Sequence, residues 1–190
     1  MAGAVAALIG HRFVITGQCT IAAVDSTIAW LANYLLIGMA AVALITWVTR
    51  EDLASKKRSA AVAVIGLVLA VLLLVTAAGL HTDARPFVQN PSLHPLIKHS
   101  ADNGFPSDHC LAAGLLASVT IGRHRLLGAV LAIAAVVLAA ARVAAHVHHL
   151  QDVLAGLALG ALAGWLGTVL VDKATDRWAA AGRRNLPGLR

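Results

Sequence analysis

Residues 60–80 read AAVAVIGLVLAVLLLVTAAGL, twenty-one consecutive positions without a charged or amide side chain. A helix rises about 1.5 Å per residue and needs about 20 apolar residues to cross the hydrocarbon of a bilayer. This stretch therefore reads as a membrane span. Residues 30–49, 126–145 and 153–171 meet or nearly meet the same length. A fifth apolar run, 110–122, is shorter. It reaches roughly 24 Å only if its helix begins at Ser107, a mismatch that local thinning of the bilayer accommodates. The expected fold class is all-α, a polytopic membrane helical bundle with five spans.

The rest of the composition agrees. Of 190 residues 59% are hydrophobic and only 13% charged, which excludes an ordinary soluble domain. The net charge of +6 invites a nucleic-acid reading, but its placement argues against one. Cations cluster at Arg50 with Lys56, Lys57 and Arg58, at Arg123 and Arg125, and along Lys173, Arg177, Arg183, Arg184 and Arg190. Five spans put all three clusters on one side, which the positive-inside rule makes cytoplasmic. Arg12, Arg85, Lys98 and Arg142 then lie towards the opposite, extracytoplasmic side. The two cysteines, Cys19 and Cys110, have no framework or ligand spacing.

Three units are expected along the chain. Residues 1–27 are expected to form an interfacial or re-entrant segment, because Ala4–Gly10 is too short to span and His11, Arg12 and Gln18 interrupt its extension; Arg12 following the apolar run argues against a signal peptide. Asp25 and Ser26 are a candidate start for the first span. Residues 28–172 form the membrane domain, and 173–190 a basic cytoplasmic tail. Gly156, Gly160 and Gly164 fall at every fourth position of the last span, a small-residue stripe suited to close helix packing.

Against this apolar background three polar pieces stand out: Ala84-Arg85-Pro86, Phe105-Pro106-Ser107-Asp108-His109, and Ala141-Arg142 followed by His148 and Asp152. The expected topology brings all three to one membrane face. His148 and Asp152 are four apart, so a carboxylate on one ring nitrogen can fix the tautomer that leaves the other free to attack phosphorus. Helix capping is the plainer role for such a pair. Ser107 and Asp108 sit where a helix starts, and free backbone N–H groups there favour an anion. His109 is placed to protonate a departing oxygen. Arg85 and Arg142 supply guanidinium groups that match phosphate oxygens, and Arg142 lies inside an apolar span where a charge is costly. A structural ion pair of Arg142 with Asp83 or Asp102 is the alternative. The crowd of His146, His148 and His149, with His99 and His109, raises zinc as a rival. His-x-His-His spacing scatters the rings around a helix, however, and no glutamate base is close.

These pieces resemble the type-2 phosphatidic acid phosphatase superfamily, whose signatures are Lys-x6-Arg-Pro, Pro-Ser-Gly-His and Ser-Arg-x5-His-x3-Asp. Arg85-Pro86, Pro106-Ser107-Asp108-His109 and Arg142…His148…Asp152 match them in order. Ala78 stands where the lysine would fall, Asp108 replaces glycine, and Ala141 replaces serine. The wording around Arg85 and His109 is similar to the bacitracin-resistance type of bacterial undecaprenyl diphosphatase. The resemblance implies hydrolysis of a polyprenyl diphosphate to its monophosphate at the outer face of the bacterial cell membrane, without a metal or other cofactor. It implies that Arg85, Ser107, Arg142 and backbone N–H groups around Asp108 hold the phosphate. His148 would be the nucleophile oriented by Asp152, and His109 the acid. The expected partners are that lipid and the surrounding membrane lipids, not nucleic acid. A phosphatase for another lipid phosphate, such as phosphatidylglycerophosphate or phosphatidic acid, and a histidine-based membrane transporter remain as alternatives.

Overall fold

In the computed structural model the chain is described over residues 2–184, with side chains over residues 20–181. Six helices follow in order: α1 (Ala2–Arg50), α2 (Leu53–Leu80), α3 (Pro86–Gln89), α4 (Asp108–Ile121), α5 (Arg125–Ala144) and α6 (Leu150–Arg184). There is no sheet among the described residues, only one isolated bridge between Ala84 and Asn103. The all-helical membrane bundle is as expected, but the count of spans is not. Among the described residues, four helices are long and apolar enough to cross a membrane, at Thr20–Arg50, Leu53–Leu80, Arg125–Ala144 and Leu150–Ala181. The fifth run, α4, has only 14 residues, about 21 Å of helix.

One other expectation needs correction. No helix starts at Asp25 and Ser26, since α1 runs unbroken through them. Ser26 and Thr27 hydroxyls donate back to the Ala22 and Ala23 carbonyls, at 2.8 and 2.9 Å, so they are satisfied inside the helix instead of capping it. The expected interfacial segment is thus helical and continuous with the first span, while the side chains of residues 1–19 lie outside the described residues. At the other end, α6 continues as helix from the span to Arg184, so most of the basic tail is helical. Residues 185–190 of that tail lie outside the described residues.

Helix α4 is the axis of the bundle, packed against α1, α2, α5 and α6. Met39, Ala113, Leu131 and Leu138 form a core between α1, α4 and α5, and Ala70, Leu111 and Ala163 one between α2, α4 and α6. The outward faces carry Ile37, Leu44, Val64, Val75, Ile133 and Leu170, all exposed, as lipid-facing helices require. The tightest seam joins α4 to α6. A Cβ at Gly160 would collide with the Leu111 carbonyl, one at Gly156 with the Ser107 carbonyl, and one at Gly114 with the Leu157 carbonyl. The glycine stripe is therefore an internal packing surface, where the two backbones meet without side chains between them.

The two ends of the bundle differ. At the cationic end Arg58 pairs with Asp172, and Glu51 accepts from Ser59 at 2.8 Å and faces His124 at 3.5 Å. These contacts bring the α1–α2 turn, the α4–α5 turn and α6 together. The 81–107 loop and the 145–149 turn lie at the opposite end, joined where Leu96 N donates to the Ala145 carbonyl at 3.1 Å.

Candidate active site

The three polar pieces meet at the end remote from the cationic turns. Ser107 caps α4, its hydroxyl accepting from Cys110 N at 3.5 Å. Its own N–H donates to the Asp152 carbonyl at 3.0 Å, so the starts of α4 and α6 are fastened backbone to backbone. Arg142 closes the last turn of α5, and His148 occupies the turn before α6. That turn passes through His146 at φ 60°, a left-handed conformation costing a non-glycine residue roughly 1–2 kcal/mol. The reversal brings His148 back beneath Arg142.

Five polar side chains are buried here: Arg85 (4% exposed), Ser107 (0%), Arg142 (1%), His148 (1%) and Asp152 (0%). His148 is their centre. Its Nε2 lies 3.3 Å from Arg85 Nη1 and 3.2 Å from Arg142 Nη2. A guanidinium only donates, so Nε2 carries the lone pair and Nδ1 the proton. Nδ1 faces Asp152 Oδ2 at 3.5 Å, too long for a hydrogen bond but within ion-pair range. Asp152 Oδ2 is itself held by the His149 N–H at 2.8 Å. Burial, reinforced by the charges of Arg142 and Arg85, holds the His148 imidazole below its ordinary pKa, against the opposing pull of Asp152. The ring is neutral and its free nitrogen faces two cations.

The arginines are not equivalent. Arg85 donates to Asp102 Oδ1 at 2.8 Å and to the Val147 carbonyl at 2.9 Å. Hydrogen bonds from Ser100 and Arg85 keep Asp102 below the usual carboxylate range. Arg142 has no carboxylate partner among the described residues. It reaches only the Ala32 carbonyl at 3.4 Å, His99 Nε2 at 3.0 Å and His148, and its buried Nε has no acceptor. The ion pair weighed for Arg142 thus belongs, in the case of Asp102, to Arg85 instead. A buried guanidinium without a counter-charge is costly unless an anion arrives.

Asp108 and His109 stand at the rim. Asp108 Oδ1 takes the His109 backbone N–H at 2.8 Å and lies 2.9 Å from the ring Nδ1, which leaves His109 Nε2 for other partners. The first-turn N–H groups of His109 and Cys110 are thus already engaged by side chains, unlike the open cradle expected from the sequence. Asp108 is within electrostatic range of Arg142.

His99, Asp102, Asp83 and Gly104 are neighbours that the sequence reading left out of the site. Asp83 accepts from Gln151 at 2.7 Å, lies 2.7 Å from His149 Nδ1, and takes Gln89 at 3.0 Å, so it clamps the 148–152 turn. Burial pushes the Asp83 carboxyl up, but the Gln151 and His149 contacts outweigh it and leave it lowered. Gly104 leaves room beside Asp152 Oδ2 and Arg85. The one group of ligand atoms close enough for an ion among the described residues is Asp83, His149 and Asp152, within 4.8 Å of one another. Its members are already engaged in the contacts just described.

The family model described as the PAP2 superfamily matches residues 59–176, covering all three pieces. The "Bacitracin transport permease protein BcrC" of Bacillus licheniformis is 31% identical over 73% of this chain and 67% of that protein. The "Undecaprenyl-diphosphatase BcrC" of Bacillus subtilis is 29% identical over 75% of this chain and 72% of that protein. Among solved structures, Aquifex aeolicus LpxE superposes with a TM-score of 0.59 at 20% identity, over 78% of this chain and 85% of that one, a likeness of fold.

Proposed function

Since this chain belongs to the PAP2 superfamily, we propose that it is a membrane phosphatase of polyprenyl diphosphates, working through a phosphohistidine at His148. The observation that carries the reading is Arg142, buried, without a carboxylate, and sharing its Nη2 with the free nitrogen of His148. A terminal phosphate supplies the missing anion and puts phosphorus in front of the nucleophile.

In the first step Nε2 of His148 forms the N–P bond as the bond from phosphorus to the bridging oxygen breaks. Arg85 and Arg142 balance charge on the equatorial oxygens, where fixed donors act most strongly. Ser107, at the wall of the site, is assigned to the phosphate as well. The Nδ1 proton stays on the imidazole, whose growing charge faces Asp152. His109, with Nδ1 steadied by Asp108, gives its proton to the departing prenyl monophosphate. It then takes a proton from water as water attacks the phosphohistidine, releasing inorganic phosphate and restoring His148.

The polyprenyl assignment rests on the relatives named above and on the Arg85 and His109 wording. The transporter alternative fits less well, because among the described residues the buried polar side chains are Ser59 at the cationic end and five at the site end, with none midway. Because α4 runs from the site end of the bundle to the cationic end, all the cationic turns share one end, which the positive-inside rule assigns to the cytoplasm, and the site faces the outer surface of the bacterial cell membrane.

The deciding experiment is phosphate release by detergent-purified protein from farnesyl and undecaprenyl diphosphates and from phosphatidic acid and phosphatidylglycerophosphate. Wild type is expected to prefer the diphosphates, and His148→Ala to lose turnover while remaining folded. Undiminished release by His148→Ala removes the nucleophile, and a preference for phosphatidic acid moves the substrate class.

A further inference from the structure

The superfamily's first signature places a lysine where this chain has Ala78, so one cation of the phosphate site is missing. We propose that His99 fills that role as a further phosphate-binding side chain, its Nε2 contacting an oxygen of the terminal phosphate beside Arg142. This rests on the phosphatase reading above and adds a residue to it.

The argument is geometric. His99 Nε2 lies 3.0 Å from Arg142 Nη2, the nitrogen that is also 3.2 Å from His148 Nε2. The His99 and His148 rings stand edge to face, with centroids 6.0 Å apart. A phosphorus poised about 3–3.5 Å from His148 Nε2 and held by Arg142 Nη2 therefore has an oxygen within reach of His99. The loop holds the ring there independently of Arg142. Ile97 is buried in a cluster with Ala32, Ala141, Ala145 and Val147, and Asp102 ties to Arg85 and to the Ser100 hydroxyl at 2.8 Å.

Charge explains how an imidazole can do a lysine's work. The charged and titratable groups facing His99 are Arg85, Arg142 and His148, with no carboxylate directly against it. Burial and these neighbouring charges depress its pKa, so the resting ring is neutral, with Nε2 accepting from Arg142 and Nδ1 carrying the proton. An arriving phosphate dianion reverses the local field. Nε2 then takes a proton from the medium and donates it to a phosphate oxygen, while the Arg142 N–H turns to the anion. The site thus meets its substrate with a third cation that exists only when the anion is present.

The test uses the full chain in detergent, with orthophosphate as the probe, and compares wild type with His99→Ala and His99→Gln. Product inhibition by orthophosphate is expected to weaken about 10- to 100-fold in both variants, the loss of one hydrogen bond to a charged group. Calorimetry in buffers of different ionisation enthalpy should show that wild type takes up more protons on binding orthophosphate than His99→Gln does. A residue that merely props Arg142 would not change that proton count. Should His99→Ala not fold, His99→Gln carries the comparison. Equal affinity and equal proton uptake in wild type and His99→Gln overturn the assignment while leaving the phosphatase reading intact. Wild type that neither cleaves farnesyl diphosphate nor binds orthophosphate overturns both.

Discussion

His148 decides what the site can do, because its two nitrogens face opposite charges. Nε2 looks towards two guanidinium groups and Nδ1 towards Asp152. The depressed pKa has a definite sign: the group is neutral above its folded pKa, so the competent form persists below pH 6.5 and is lost only on further acidification. The acid limb of kcat/KM is therefore expected below the ordinary histidine value near 6.5. Asp152→Asn removes the one group that raises the pKa, so it should move that limb still further to the acid side while lowering kcat. A pH–rate profile on purified protein checks both, and an acid limb at or above 6.5 in wild type would contradict the assignment. At this scale the sequence was informative wherever partners share a short stretch, as His148 and Asp152 do across one helical turn. It named His99 only as a possible zinc ligand and Asp102 only as a possible ion-pair partner, because both sit in a loop without periodicity that gives no position for their side chains. Only the docking of that loop on Ala145 and Val147 puts them beside the arginines. Likewise Arg142 read as a candidate for pairing with Asp102, although that carboxylate goes to Arg85.

The starts of helices α4 and α6 border the site, supplying Asp108, His109 and Asp152, and the seam between them is lined by glycine. The four-residue spacing of Gly156, Gly160 and Gly164 was visible in the sequence, but its partner was not, because a stripe does not say which helix it meets. The partner is α4, and the closest approaches are to the Leu111 and Ser107 carbonyls. Gly160→Ala puts a methyl group into the Leu111 carbonyl, and neither backbone can yield alone. An overpacked core typically loses about 1–3 kcal/mol, and here the same displacement pulls Ser107 from the Asp152 carbonyl. The expected outcome is a lower thermal midpoint in detergent together with a fall in kcat larger than the change in KM. Gly79→Ala, where a Cβ meets nothing within 4 Å, is the matched control. The length of α4 was the weakest element reading: composition marks an apolar run but cannot tell a 14-residue helix held by four neighbours from a full span.

For the whole molecule, hydropathy was enough to specify a helical membrane bundle, because lipid tolerates few other ways of satisfying a backbone. Charge placement then assigned the ends, and the contacts among Arg58, Asp172, Glu51 and His124 bring the cationic turns together as that assignment requires. An orientation prediction follows. A cysteine introduced at Ser92 on a cysteine-free background should react with an impermeant maleimide added to intact cells, whereas one introduced at Ser55 should react only after permeabilisation. The reverse pattern would place the reaction on the cytoplasmic face.

The 81–107 loop also bears on how such a protein tolerates change. Its near limb is moored through Arg85, Gln89 and the Ala84–Asn103 bridge, and its far limb through Leu96, His99 and Asp102. Between them residues 90–95 are left outside these moorings, with the exposed turn at Pro91 and Ser92 at their centre. That turn is where a tag, an inserted module or a broken peptide bond can be accepted, since the reactive residues on either side would stay in register without it.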